Sequence, residues 1–116
     1  MSALQPEGVP FELLGRTWRL KWTLAAIDQA QEHFDESIGE IILRLTDERQ
    51  LPNTVANLLH ILFLDEIGRD GLDIVPPGVK EIMWAIDIRS LGSVTSALLR
   101  SYGFDMPEDD GEDPKN

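Results

Sequence analysis

Asn53-Thr-Val-Ala-Asn-Leu-Leu-His-Ile-Leu-Phe-Leu-Asp-Glu-Ile67 decides how the rest of the chain folds. At 3.6 residues per turn, Val55, Leu58, Leu59, Leu62 and Phe63 form one apolar face, while Ile61, Leu64 and Ile67 carry apolar surface most of the way round. A helix of this kind needs neighbours on nearly every side. Asn53, just after Pro52, is placed to cap its start, and Gly68 stands where a C′ glycine would end it. The other segments are therefore expected to form a jacket around this central helix.

The chain of 116 residues suits one domain with a real core, and its 42% apolar content argues against global disorder. With no cysteine there are no disulfides, thiolate metal sites or cysteine nucleophiles, so stability has to come from packing. No secretory leader is seen, and the run Leu58 to Leu64, interrupted by His60, falls far short of the ~20 apolar residues of a bilayer span. The default is a soluble cytoplasmic protein with no membrane partner.

Acids outnumber bases, 21 to 10, for a net charge of −11. Residues 105–116 hold six acids and Lys115, so this tail carries −5 and the body −6. Nucleic acid is a poor partner for such a chain, because binding a phosphate backbone takes clustered Lys and Arg. Proteins, basic ones among them, are better matched.

Residues 1–8 show no periodicity and read as a loose terminus. Thr17 to Trp22 alternates polar and apolar, placing Trp18, Leu20 and Trp22 on one face of a strand. With Val9 to Leu14 before it and Gly15-Arg16 as a two-residue turn of the II′ kind, the chain opens with a β-hairpin. Thr23 caps a first helix whose face is Leu24, Ile27, Ala30 and Phe34. Ser37 and Glu40 form a capping box for a second, with Ile38, Ile41, Ile42 and Leu45 inward.

The loop from Gly68 to Gly78 leads into a helix bearing Val79, Ile82, Met83 and Ile86. Ser90 caps a last one, with Leu91, Val94, Leu98 and Tyr102, which closes at Gly103. The expected fold is mainly α (α+β): an N-terminal hairpin packed on four to five helices around the central one, a single domain over residues 9–104. The acidic tail, residues 105–116, is expected to be disordered.

The run Leu14-Gly-Arg-Thr-Trp-Arg-Leu-Lys-Trp-Thr-Leu-Ala-Ala-Ile27, followed by Phe34-Asp-Glu-Ser-Ile-Gly-Glu-Ile-Ile42, resembles the tail assembly chaperones of long-tailed bacteriophages and gene-transfer-agent-like elements. The resemblance covers residues 11–45 and is a match of helical pattern only from Val55 to Gly71. It rests on fold-forming residues and has no chemical signature. It implies a small cytoplasmic protein of the bacterial host cell that binds the tape measure protein, keeps its hydrophobic helices from aggregating and brings tail tube protein to it. It carries over no catalytic residue.

Nothing in the chain spells out chemistry. His33 and His60 lack zinc-site spacing. Counted from Asp65, a calcium loop would have Asp70 where glycine is needed and Pro76 in place of the closing glutamate. Leu91-Gly-Ser93-Val has no nucleophile-elbow frame, and Gly68-Arg-Asp-Gly71 is too short for a phosphate loop. The expectation is a non-enzyme without cofactor or metal.

A protein that holds amphipathic helices needs an apolar patch, and Trp84, Ile88, Leu91, Leu98 and Leu99 are the candidates, with ordinary core as the competing role for each. Such a patch also favours a homo-oligomer. Two other readings stand beside the chaperone: an acidic nucleic-acid-mimic inhibitor, and a structural phage adaptor subunit of the same fold.

Overall fold

The structure is a computed structural model and describes residues 8–104. The expectations for residues 1–7 and for the acidic tail lie outside the described residues. The order is β1 (Val9–Leu13), β2 (Arg16–Leu20), α1 (Leu24–Phe34), α2 (Ile38–Leu43), a 3-10 turn at Arg44–Thr46, α3 (Leu51–Asp70), α4 (Val79–Ala85) and α5 (Leu91–Tyr102). The hairpin, α1, the 3-10 turn and α4 pack on α3, as expected of a jacket, while α2 lies chiefly against α1 and α5 chiefly against the hairpin.

Helix α3 exceeds the expected boundaries at both ends. It begins at Leu51, and Pro52 occupies its first turn, where the absent N–H costs nothing. Asn53 is therefore inside the helix and makes no N-cap; its carbonyl and side-chain oxygens accept from the Asn57 amide at 2.8 and 2.9 Å. Gly68 remains helical, and the left-handed residue that ends α3 is Gly71 (φ 63°), whose N–H returns to the Ile67 carbonyl.

The hairpin pairs Val9 with Leu20, Phe11 with Trp18 and Leu13 with Arg16. Its turn is one residue earlier than the II′ reading: Leu14 and Gly15 are the loop, both at positive φ (54° and 78°), as in a type I′ turn. Trp18 and Leu20 face inward and are buried, while Trp22, beyond the strand end, is half-buried. Gly8 is not loose. It is buried at φ 96°, and a Cβ there would stand 2.9 Å from the Leu20 carbonyl oxygen.

Aromatic stacking joins the hairpin to α3. The Trp18 ring lies 4.0 Å from Phe63 at 17°, Phe11 lies 6.4 Å from the same ring, and the Arg16 guanidinium sits 4.7 Å from the Trp18 centroid. Counted from the closing pair Leu13–Arg16, Arg19 is at a non-hydrogen-bonded position, so its N–H leaves the ladder's free edge. Glu66 of α3, 4% exposed, accepts that N–H at 2.7 Å and stands 3.5 Å from an Arg16 nitrogen. One carboxylate thus closes an edge that would otherwise present an open donor.

Thr23 caps α1 as expected, its hydroxyl oxygen accepting from the Ala26 N–H at 3.0 Å. The same hydroxyl donates to Asp65 of α3 at 2.9 Å, and this second bond fixes how α1 is turned. Small Ala26 and Ala30 meet the core, Ile27 and Phe34 flank them, and Leu24, expected on the inner face, is 85% exposed. The Ser37–Glu40 capping box is present and Ile41, Ile42 and Leu45 are buried behind it.

His60 reaches the Pro77 carbonyl through Nδ1 at 3.0 Å, holding the loop that leads into α4. Ser90 makes no side-chain cap for α5; its hydroxyl takes the Asp87 N–H at 3.2 Å instead. At the far end Gly103 (φ 117°) closes α5 as expected, and the Phe104 N–H donates to the Leu99 carbonyl at 3.0 Å. Trp22 ties the hairpin to α5 by donating from Nε1 to Ser101 Oγ at 3.0 Å.

Candidate protein-binding surface

Helix α4 has only seven residues, and Ile82 is its one fully buried side chain. Val79, Met83 and Ile86 are half-buried against the core, which leaves Trp84 on the outer side, 80% exposed. After Ile86 the backbone turns through Asp87 and Ser90. The Asp87 carboxylate accepts from the N–H groups of Arg89 and Ser90, each at 3.1 Å, and Asp87 is held below the usual aspartate range chiefly by the bond from Ser90. This small knot presents Ile88 outward, 83% exposed.

Between the start of α3, the end of α4 and the start of α5 lies a groove of about 240 Å³, lined by Pro52, Val55, Ala56, Met83, Ile86, Asp87, Ile88 and Leu91. All of these but Asp87 are apolar. Pockets that enclose small ligands run ~300–1,000 Å³ and converge several polar groups. This groove is smaller and has one carboxylate, already engaged by its own turn, so its chemistry is that of an apolar side-chain anchor site. Trp84 follows Met83 in the chain and is exposed, but is not part of the lining.

The five residues expected to bind a partner divide. Trp84 is free, and Ile88 and Leu91 line the groove. Leu98 is corrected: it is fully buried, facing the core one turn beyond Val94, and has no surface to offer. Leu99 is half-buried and packs on that core. The misassignment comes from α5, whose inward face at Val94, Ala97, Leu98 and Ser101 takes up the apolar positions that the sequence left free for either role.

The charge around this surface differs from that of the whole chain. Residues 79–104 hold Lys80, Arg89 and Arg100 against Glu81 and Asp87, a net +1, whereas residues 24–43 hold Asp28, Glu32, Asp35, Glu36 and Glu40 with no Lys or Arg. Sequence reasoning missed the groove floor, because Pro52, Val55 and Ala56 belong to the central helix, and Val55 and Ala56 are almost wholly buried beneath the groove.

Among the described residues no group of three or more His, Cys, Asp or Glu is arranged to hold a metal, and no helix is long and apolar enough to cross a membrane. Comparison of the chain with protein-family models, with curated proteins and with solved structures gives no match.

Proposed function

We propose that the protein is a non-enzymatic assembly chaperone that takes one apolar face of a client's amphipathic helix into the α4–α5 groove. The observation that carries this reading is the exposure of two large apolar side chains, both at least 80% in solvent: Ile88, in the wall of a small apolar groove, and Trp84, on the short helix that supplies Met83 to it. An i, i+3, i+4, i+7 stripe on a helix supplies side chains at the spacing such a groove accepts. Large aromatics are also the side chains that most often dominate binding energy.

The resemblance over residues 11–45 makes the client the tape measure protein of a phage or prophage tail, with tail tube protein as the second partner. The negative charge of the chain keeps a complex of oily helices in solution and repels acidic competitors. The site of action in this reading is the cytoplasm of the host cell.

The test is co-expression with the product of a long helical reading frame beside this gene. The two proteins are expected to elute together, and the long protein to move from the pellet to the soluble fraction. Unchanged solubility and separate elution would sink the proposal. Stoichiometric recovery of this chain in purified particles would select the structural subunit instead, and salt-sensitive capture of a basic DNA-binding enzyme the nucleic-acid mimic.

A further inference from the structure

On the flank of α3 away from that groove, a second groove of about 450 Å³ runs between α1 and α3. Its α3 wall is Ile61, Leu64, Asp65, Gly68 and Arg69; its α1 wall is Ala25 and Gln29, with the Thr23 cap at one end. At 100° per residue these α3 positions lie about 180° around the helix from Val55 and Ala56. Asn57, Ile61, Leu64 and Gly68, at i, i+4, i+7 and i+11, share this flank of the central helix: Ile61 is buried at the groove floor, Asn57 is half-buried, and Leu64 and Gly68 are exposed. Leu64 is partly exposed there.

Gly68 sharpens the picture. A glycine within a helix lowers stability relative to alanine. Apart from its own helix's backbone, no heavy atom lies within 4 Å of where a Cβ would be, so nothing in the fold uses the space. A second helix crossing α3 at this point would use it, because a missing Cβ lets two backbones approach closely.

The rim is acidic. Glu32 continues the Ala25–Gln29 row at i+7, Asp28 flanks it, and α1 contains no Lys or Arg. Across the groove Arg69 is the one cation, already paired with Asp65 at 2.8 Å and Asp70 at 3.5 Å. Asp65 lines the groove, and the two elements that form its walls add the exposed Asp28, Glu32 and Asp70 against the guanidinium of Arg69, a net negative balance that disfavours a second copy of this acidic chain and favours a cationic partner.

We propose that the α1–α3 groove is a second docking site, for an amphipathic helix whose apolar stripe is bordered by Lys and Arg. This does not depend on the α4–α5 groove or on the identity of its client. Together the two grooves let one small protein hold two helical segments on opposite flanks of one rigid helix, and the joint affinity then exceeds either alone.

The experiment is fluorescence anisotropy on the full chain with two synthetic helical peptides of one Leu stripe, one flanked by Lys and one by Glu. The Lys peptide is expected to bind at least roughly tenfold more tightly at low salt, and the gap to shrink as salt rises. Gly68→Leu fills the crossing point, so it should raise Tm while cutting Lys-peptide binding at least roughly tenfold. Asp28→Lys with Glu32→Lys should reverse the preference between the peptides. Trp84→Ala should leave Lys-peptide binding within about twofold, which separates failure at this site from failure at the other.

Equal binding of the two peptides overturns the proposal. So does undiminished Lys-peptide binding by Gly68→Leu, the result expected if the acidic tail alone held the peptide. Self-association of the unliganded chain that Gly68→Leu abolishes also overturns it, by making a second copy the occupant.

Discussion

The hairpin seam and the α4–α5 shelf face the same central helix, and the chain treats them in opposite ways. At the seam the aromatic groups have neighbours: Trp18 stacks on Phe63, Phe11 approaches it, and the buried carboxylate of Glu66 meets an open backbone donor. At the shelf a seven-residue helix covers α3 incompletely, and Trp84 and Ile88 are left in water. Both regions are rich in large apolar side chains, so composition does not tell them apart. The difference is that the seam's side chains have partners within the chain, and surface left open at the shelf is free to be used by another one.

Substitutions should separate the two regions by magnitude. Phe63→Ala removes the ring between hairpin and helix, leaving a cavity at a fully buried position, and is expected to cost about 3–5 kcal/mol in denaturant unfolding. A cost below ~1 kcal/mol would mean that the hairpin stands without the stack. Glu66→Ala leaves the Arg19 N–H without its acceptor and Arg16 without its partner, for about 1–3 kcal/mol. Hydrogen exchange should localise that loss, with the Arg19 amide exchanging faster and amides of α5 unaffected.

At the shelf the stability effects are small. Trp84→Ala is expected to change unfolding free energy by no more than ~0.5 kcal/mol, since the indole is mostly in solvent already. A larger loss would place Trp84 in the same class as Trp18 and erase the contrast.

The least effect concerns Asp87. Its folded pKa is depressed, so its contribution is present above the ordinary aspartate value and is lost as pH falls through the folded one. A carboxyl NMR titration should find Asp87 with a midpoint below that of a free-peptide aspartate, and Ser90→Ala should move it only partway upward, because the alanine keeps the backbone N–H that lowers it most and loses the hydroxyl that adds to it.

Much of the fold was legible because its signals are local. The alternation through Trp18 and Leu20, the Ser37–Glu40 box and the Gly103 terminus each act within a few residues, and all three appear where the sequence places them. What was not legible depends on distant contacts. Leu24 points outward because Thr23 is bonded to Asp65, 42 residues away. Glu66 meets the N–H of Arg19 on a strand edge 47 residues away, a pairing that no local pattern announces.

The same limit applies to the candidate site. Trp84 and Ile88 fall off the apolar periodicity of their segment, a signal the sequence does carry. That Leu98 is core, and that Pro52, Val55 and Ala56 form the groove floor, follows only from how α5 lies on the hairpin and α4 on α3.

The most direct test of the account is the affinity of a client helix, taken from the co-expressed long protein, for the native chain and for Trp84→Ala combined with Ile88→Ala. The account predicts a loss of about a hundredfold or more in Kd with unchanged Tm, the signature of anchors that serve binding and not folding. Unchanged Kd in a variant that folds normally would contradict it.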